Sequence, residues 1–494
     1  MAGRSALALA RLGPTADETY ERSTENAVAG DTTLDQDETA PVPDPISPGV
    51  PAVNTPGERN RPGGDAGSPI RAESRRARRA RRRAQIRRRR TWFGRHPKST
   101  VALVIVLALT PVWYSAGSAA TDATLGPTVG ARLTEWARDH GGGSVVNWAE
   151  NVWYTWHAPP KGGKPQPGAI PKASSTTQTT VPAGPVHLAA PAPVVPFVAD
   201  PLPGEGLWHP IGRTVDGIPA MYAAYIRPNA VNTSLVTGVA WMDTTLLAAT
   251  LYAGSIIPSP GPPWPNQAPI PSAALSTLDA AFNSGFRMPD SQGGFYLDGM
   301  TASGYPLIPG AASLVITADG TATVGTWGTE VKMSPAVVSV RQNLALIVEN
   351  GQPVPGLDAN DNHRWGFTLG GRDQVWRSGV GVTAEGALVY AAGTGLSIVD
   401  LANVLAHAGA LRAMELDINT DWVNFTSFAP QPGQLASPAN GTTLTRDEVA
   451  APDRYFAPLS RDFITMSIRP PATPPTTPAA PPARSATTRP SKKG

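Results

Sequence analysis

The residues best suited to chemistry lie near the end of a segment running from residue 377 to residue 422. Over residues 413–419 the sequence alternates with period 2. Met414, Leu416 and Ile418 fall on one face of the expected strand, and Glu415, Asp417 and Asn419 on the other. Two carboxylates and an amide on one strand face are poor packing material but good equipment for general acid–base work.

The elements before them must hold them in place. Residues 376–382 and 387–391 read as strands, with a turn at Glu385-Gly386. Ser397 and Asp400 form an S-x-x-D capping box for a helix that continues through Leu401, Val404, Leu405 and Ala408 and stops at Gly409. The expected order is strand, turn, strand, helix, strand. If the strand of Arg377 and the strand of Glu415 and Asp417 run parallel, the helix makes a right-handed crossover between them.

Over residues 205–469 most other signals are also strands: 221–226, 236–243, 313–317, 321–326, 344–349 and 364–369, with hairpin turns at Asp319-Gly320 and Asn350-Gly351. Helix is expected at 273–281 and 397–408. The fold class expected is α+β, mainly strands with a few helices, preceded by one transmembrane helix.

The remainder of the 494 residues divides by composition. Residues 1–70 are acidic and proline-rich with hardly an aromatic, a composition that favours disorder. Residues 71–98 are arginine-rich, and 99–120 are uncharged over about the ~20 residues a bilayer requires. Arginines on that flank place it in the cytoplasm and the later domain outside. A cleaved signal peptide is the alternative, and it requires an unusually long leader of roughly 100 residues. In this context the basic block is topogenic, not a nucleic-acid arm. Residues 121–158 read as a juxtamembrane helical pair broken at 141–143, and 159–204 as a proline-rich linker able to reach on the order of 100 Å. The tail, 470–494, is expected to be disordered. With no cysteine, disulfides, thiolate nucleophiles and cysteine metal sites are excluded.

Three boxes in order resemble the phosphodiester glycosidase family, the relatives of the mannose-6-phosphate uncovering enzyme. Ala281-Phe282-Asn283-Ser284-Gly285-Phe286 resembles the family's N-G-G-F box, and Arg377-Ser378-Gly379-Val380-Gly381 its R-x-A-I-G strand. The helix ending at Gly409, followed by Met414-Glu415-Leu416-Asp417, is similar to the family's closing helix and its D-G-G-G-S run. The likeness covers roughly residues 215–425. Ser284 replaces a glycine, and Ile418-Asn419-Thr420-Asp421 replaces the glycines and serine beside the expected pocket. The resemblance implies a bacterial, membrane-anchored hydrolase that cleaves a sugar from a phosphodiester at its anomeric carbon. That bond has a good leaving group, so the needs are a phosphate clamp and a carboxylate acting on the anomeric centre or its attacking water. Asp417 is the expected catalytic carboxylate and Glu415 the second. Arg377 is the expected phosphate clamp, its planar fork matching two phosphate oxygens, with a buried structural ion pair to either carboxylate as the alternative. Asn283, in a tight turn, Arg287 and Asn419 complete the expected substrate-binding set. Retention or inversion of configuration is left open.

The polar run Asn360-Asp361-Asn362-His363-Arg364-Trp365 suits either a glycan-contacting or an ordinary surface loop. The seven histidines are scattered, and nucleotide-binding glycine motifs are missing, so no metal and no cofactor is expected. The expected partners are a phosphosugar-containing envelope glycan or glycolipid and the membrane, with no nucleic acid. A non-catalytic wall-glycan binding or scaffold protein on the same fold is the alternative function.

Overall fold

The computed structural model describes residues 75–89, 96–156, 158–172, 187–258, 263–359, 364–366, 374–470 and 494. The chain divides into two compact units, the first ending at Arg89. Of that unit the described part is helix α1 (Arg75–Arg89), on which Arg75, Arg76, Arg78, Arg79, Arg81, Arg82 and Arg83 face solvent.

The second unit opens with helix α2 (Pro97–Thr121), which starts on Pro97, where a missing N–H costs nothing. It is long and apolar enough to cross a membrane, and Trp113 and Tyr114 are exposed on it. Helix α3 (Val129–Asp139) is capped by Thr128, whose hydroxyl accepts from the Ala131 N–H at 3.0 Å, and α4 (Gly143–Trp156) follows.

The strand-rich body comes next. Strands β1 (His209–Val215), β2 (Ile218–Ile226) and β3 (Thr237–Met242) form a meander. After them come β4 (Leu247–Tyr252), β5 (Leu278–Asn283), β6 (Phe295–Leu297), β7 (Met300–Thr301), β8 (Ala312–Thr317) and β9 (Ala322–Thr326). Then follow β10 (Val337–Gln342), β11 (Leu346–Glu349), β12 (Gln352–Pro353), β13 (Val375–Thr383) and β14 (Leu388–Leu396). Helix α5 (Ile398–His407), β15 (Ala410–Glu415), β16 (Phe425–Phe428), β17 (Gly441–Thr443) and β18 (Phe463–Ile468) complete it.

Three sheets result, in the orders β1-β2-β3-β14-β13-β15-β11-β12, β7-β6-β10-β8-β9 and β17-β16-β5-β18-β4. The molecule is an α+β protein, mostly sheet, as expected. The main core lies among the sheets. In β2, Met221 and Ala223 face it, while Tyr222, Ala224 and Ile226 face a second core built against α5, so both faces of the eight-stranded sheet are buried.

The α5 region folds as its sequence indicates. Ser397 Oγ accepts from the Asp400 N–H at 3.0 Å, and Asp400 Oδ2 accepts from the Ser397 N–H at 3.0 Å. Gly379 and Gly381 let β13 lie close to its neighbours. A Cβ on Gly379 would come within 2.9 Å of Leu405 on α5, and one on Gly381 within 2.7 Å of Ala410. β13 pairs antiparallel with both β14 and β15, with Gly379 opposite Glu415. The parallel pairing considered for the Arg377 and Glu415 strands is therefore replaced by an antiparallel one. The crossover through α5 instead links β14 to β15, on opposite sides of β13.

Three local expectations change. The helix expected at 273–281 is a short 3-10 turn (Ser272–Ala274) followed by β5, whose Leu278, Ala280, Ala281 and Phe282 are buried between β16 and β18. Central pairing overrides the helical preference of the alanines. The strand expected at 364–369 is a turn at Arg364 and Trp365, and residues 367–370 lie outside the described residues. So do Asn360, Asp361, Asn362 and His363 of the polar run. The proline-rich stretch, expected as a spacer, lies against the domain where it is described: Asn232 Nδ2 donates to Pro160 O at 3.0 Å, the Leu188 N–H donates to Asp243 Oδ2 at 2.8 Å, and Val194 is buried.

Candidate active site

A small cleft lies where the ends of β5 and β18 meet the chain beyond β15. Asn283, Asp417, Trp422, Arg461 and Asp462 contribute to its lining. β15 ends at Glu415, four residues earlier than the period-2 pattern suggests, and Asp417 therefore leaves the strand face on which Glu415 lies. The extension is still pinned to β13: the Leu416 N–H donates to Ser378 O at 2.8 Å and the Ser378 N–H to Asp417 O at 2.9 Å.

A hydrogen-bond relay sets Asp417. Tyr390 OH donates to Asn283 Oδ1 at 2.8 Å, Asn283 Nδ2 donates to Ser378 Oγ at 3.0 Å, and that hydroxyl donates to Asp417 O at 3.0 Å. The Asp417 carboxylate accepts from the Asn419 N–H at 2.9 Å and from Arg461 Nη1 at 3.3 Å. Burial raises the Asp417 pKa, with Arg461 and the Asn419 N–H opposing the rise. A buried carboxylate beside one guanidinium is suited to taking a proton or acting on an electron-poor carbon.

An anion already sits next to it. Glu135 of α3 is buried, and its carboxylate meets Arg461 Nη2 at 2.6 Å, Arg287 Nη1 at 3.2 Å and Trp422 Nε1 at 3.2 Å. Burial works to raise the Glu135 pKa, but Arg461 and Arg287 more than offset it and hold the group below the usual range. Arg461 also stacks on Trp422, its guanidinium carbon 4.2 Å from the ring centroid. The surroundings are built for an anion with two or more oxygens.

Of the expected site residues, Asn283 and Asp417 line the cleft. Asn283 ends β5 and is not in a tight turn, and its amide is engaged by Ser378 and Tyr390. Arg287 stands beside the cleft, holding Glu135 and Asp139. Asn419 holds Asp417 through its backbone N–H, while its side-chain oxygen accepts from the Asp421 N–H at 2.9 Å. Arg377 and Glu415 are not among the cleft-lining residues. They lie on the α5 side of the sheet, fully buried, with Arg377 Nη1 donating to Glu415 Oε1 and Arg377 Nε to Leu396 O at 3.0 Å. The structure thus contains the buried pairing of Arg377 with one of the two carboxylates that the alternative described.

Burial pushes the Glu415 carboxyl up from 4.5 to about 7, with Arg377 opposing. A raised folded-state pKa gives stability that is complete below about 4.5 and is lost as pH rises through about 7. In a thermal-melting series, Glu415→Gln is expected to flatten the decline in Tm between those pH values by several degrees relative to the parent chain. An unchanged slope contradicts this assignment.

Sequence reading missed Arg461, Asp462, Trp422 and Glu135. Asp462 Oδ2 accepts from Arg341 Nε at 2.6 Å and from Ser284 Oγ, so the serine that departs from the glycine-rich box carries a contact of its own. The available signal was the opposed charge pair Arg461-Asp462 placed at the mouth of the apolar run that becomes β18.

Residues 276–417 match the model of the phosphodiester glycosidase family. Among solved structures, the zebrafish N-acetylglucosamine-1-phosphodiester alpha-N-acetylglucosaminidase catalytic domain is similar at 14% identity, over 53% of this chain and 87% of that one, with a TM-score of 0.31. A hypothetical protein from Synechocystis is similar at 12% identity over 53% of this chain and 64% of its own, with a TM-score of 0.27. No curated protein matches the chain.

Proposed function

We propose that the chain is a hydrolase that cleaves a glycosyl phosphodiester of a cell-envelope glycan or glycolipid, held in the membrane by α2 with its N-terminus in the cytoplasm. The observation that carries this reading is the seating of the Glu135 carboxylate between Arg461, Arg287 and Trp422, directly beside Asp417. In this reading a substrate phosphate takes the place of that carboxylate, and Asp417 faces the anomeric carbon. Asp417 removes a proton from water as the water oxygen bonds to that carbon, or bonds to the carbon itself and forms a glycosyl ester that water hydrolyses after the phosphate has left. The C–O bond to phosphate breaks, and the phosphate monoester leaves with the bonding pair, its charge held by Arg461 and Arg287. The sugar is released with a free anomeric hydroxyl.

An aryl ester of a sugar 1-phosphate tests this. The full chain in detergent is expected to release the free sugar and the aryl phosphate, measured by chromatography. Binding of the diester without any release of sugar favours the glycan-binding alternative and contradicts hydrolysis.

A further inference from the structure

The cleft is joined to α2 by a short path. α2 ends at Thr121, and three residues on, the Thr124 carbonyl accepts a hydrogen bond from the Ser460 N–H at 2.9 Å. Ser460 immediately precedes Arg461 and Asp462 of the cleft. Three residues of chain span at most about 11 Å. α3 makes a second connection. Trp136 Nε1 donates to Ser115 Oγ at 2.9 Å and Arg132 Nη1 to Ala120 O at 3.1 Å, both on the last two turns of α2. The same helix carries Glu135 to Arg461 and Arg287.

Depth follows from length. The 25 residues of α2 extend about 37 Å at ~1.5 Å each, against a hydrocarbon layer of ~30 Å. The excess leaves the turns after Trp113 and Tyr114 at the interface that aromatic residues favour. α3, packed on those turns, then lies at headgroup depth. The cleft lies within about 10–15 Å of the hydrocarbon edge, which brings its arginines close to the outer side of the ~5–8 Å headgroup layer. A domain acting on distant wall polymer would need a free tether after the span. Here the residues following α2 are folded onto the domain at Thr124 and Glu135.

We propose that the cleft faces the membrane surface and that its substrate is lipid-borne: a glycosyl phosphodiester whose aglycone is a membrane lipid, with its phosphate presented at the headgroup surface to Arg461 and Arg287. This rests on the hydrolase and single-span readings above.

Two measurements on the full chain in phosphatidylcholine vesicles separate the layers of the proposal. The chain lacks cysteine, so Asp290→Cys, exposed three residues after Arg287, and Glu385→Cys, exposed in the β13–β14 turn, each give a unique labelling site. A nitroxide on the lipid headgroup is expected to quench a fluorophore at position 290 severalfold more than one at 385. Equal quenching, or stronger quenching at 385, overturns the orientation whether or not the chain is a hydrolase. One glycosyl phosphodiester is then offered with a long alkyl aglycone in the vesicle and with a short soluble one. The vesicle-borne form is expected to have kcat/KM at least about tenfold higher. Equal values overturn the lipid-borne substrate, and no turnover of either overturns it together with the hydrolase reading.

Discussion

Replacing Asp417 with Asn is expected to lower turnover by about three or more orders of magnitude while leaving the fold intact. Asparagine keeps the size of the side chain, and its single oxygen can still accept from the Asn419 N–H, while its NH2 replaces the oxygen that accepts from Arg461 Nη1 at 3.3 Å. What it loses is the negative charge and the ability to take a proton or bond to carbon. The raised pKa of Asp417 means that the fold favours its neutral form relative to the unfolded chain, because burial outweighs Arg461. A neutral isostere therefore costs little stability, and Tm is expected to stay within a few degrees of the parent value. Loss of turnover with retained Tm identifies a chemical role. Near-normal turnover in a folded Asp417→Asn chain removes Asp417 from the mechanism.

Arg461→Lys is expected to raise KM by on the order of a hundredfold, with a smaller effect on kcat. One planar guanidinium spans two acceptors here, reaching Asp417 through Nη1 and Glu135 through Nη2 while lying over Trp422. A lysine ammonium keeps the charge but has neither the fork nor the flat face, so it satisfies one acceptor at a time. The complementary change acts on the resident anion. Glu135→Gln removes the charge that competes for Arg461 and Arg287 and is expected to lower KM and the inhibition constant of inorganic phosphate together. Equal KM values for the parent, Arg461→Lys and Glu135→Gln chains would place the anion site elsewhere.

Much of the frame was legible because its signals are local. The Ser397–Asp400 capping box, the Asp319-Gly320 and Asn350-Gly351 turns and the strand of Arg377 each depend on a few adjacent residues, and each is present. The run at 273–281 misled because a short apolar segment rich in alanine suits a buried strand as well as a helix, and only its pairing with β16 and β18 decides between them. The pairing of Arg377 with Glu415 was weighed as one of two possibilities. Choosing between them required knowing that these residues face α5, whereas the chain turns away from the strand before Asp417. The cleft itself was the hardest to foresee. Glu135 and Arg461 stand 326 positions apart, and Trp422, Arg461 and Asp462 all lie beyond the segment that matches the family model. Asp417, at the end of that segment, was reached by periodicity and by resemblance. Its partners were brought to it by tertiary folding alone.

The most direct measurement is a phosphorus NMR time course of a glycerol ester of a sugar 1-phosphate with the full chain and with Asp417→Asn in parallel. Both chains are expected to shift the diester resonance on binding, and the parent alone to convert it to the monoester resonance of glycerol phosphate while free sugar accumulates. A diester resonance left unmoved and unconverted by the parent chain, or converted equally by Asp417→Asn, would contradict a glycosyl phosphodiesterase site built on Asp417 and Arg461.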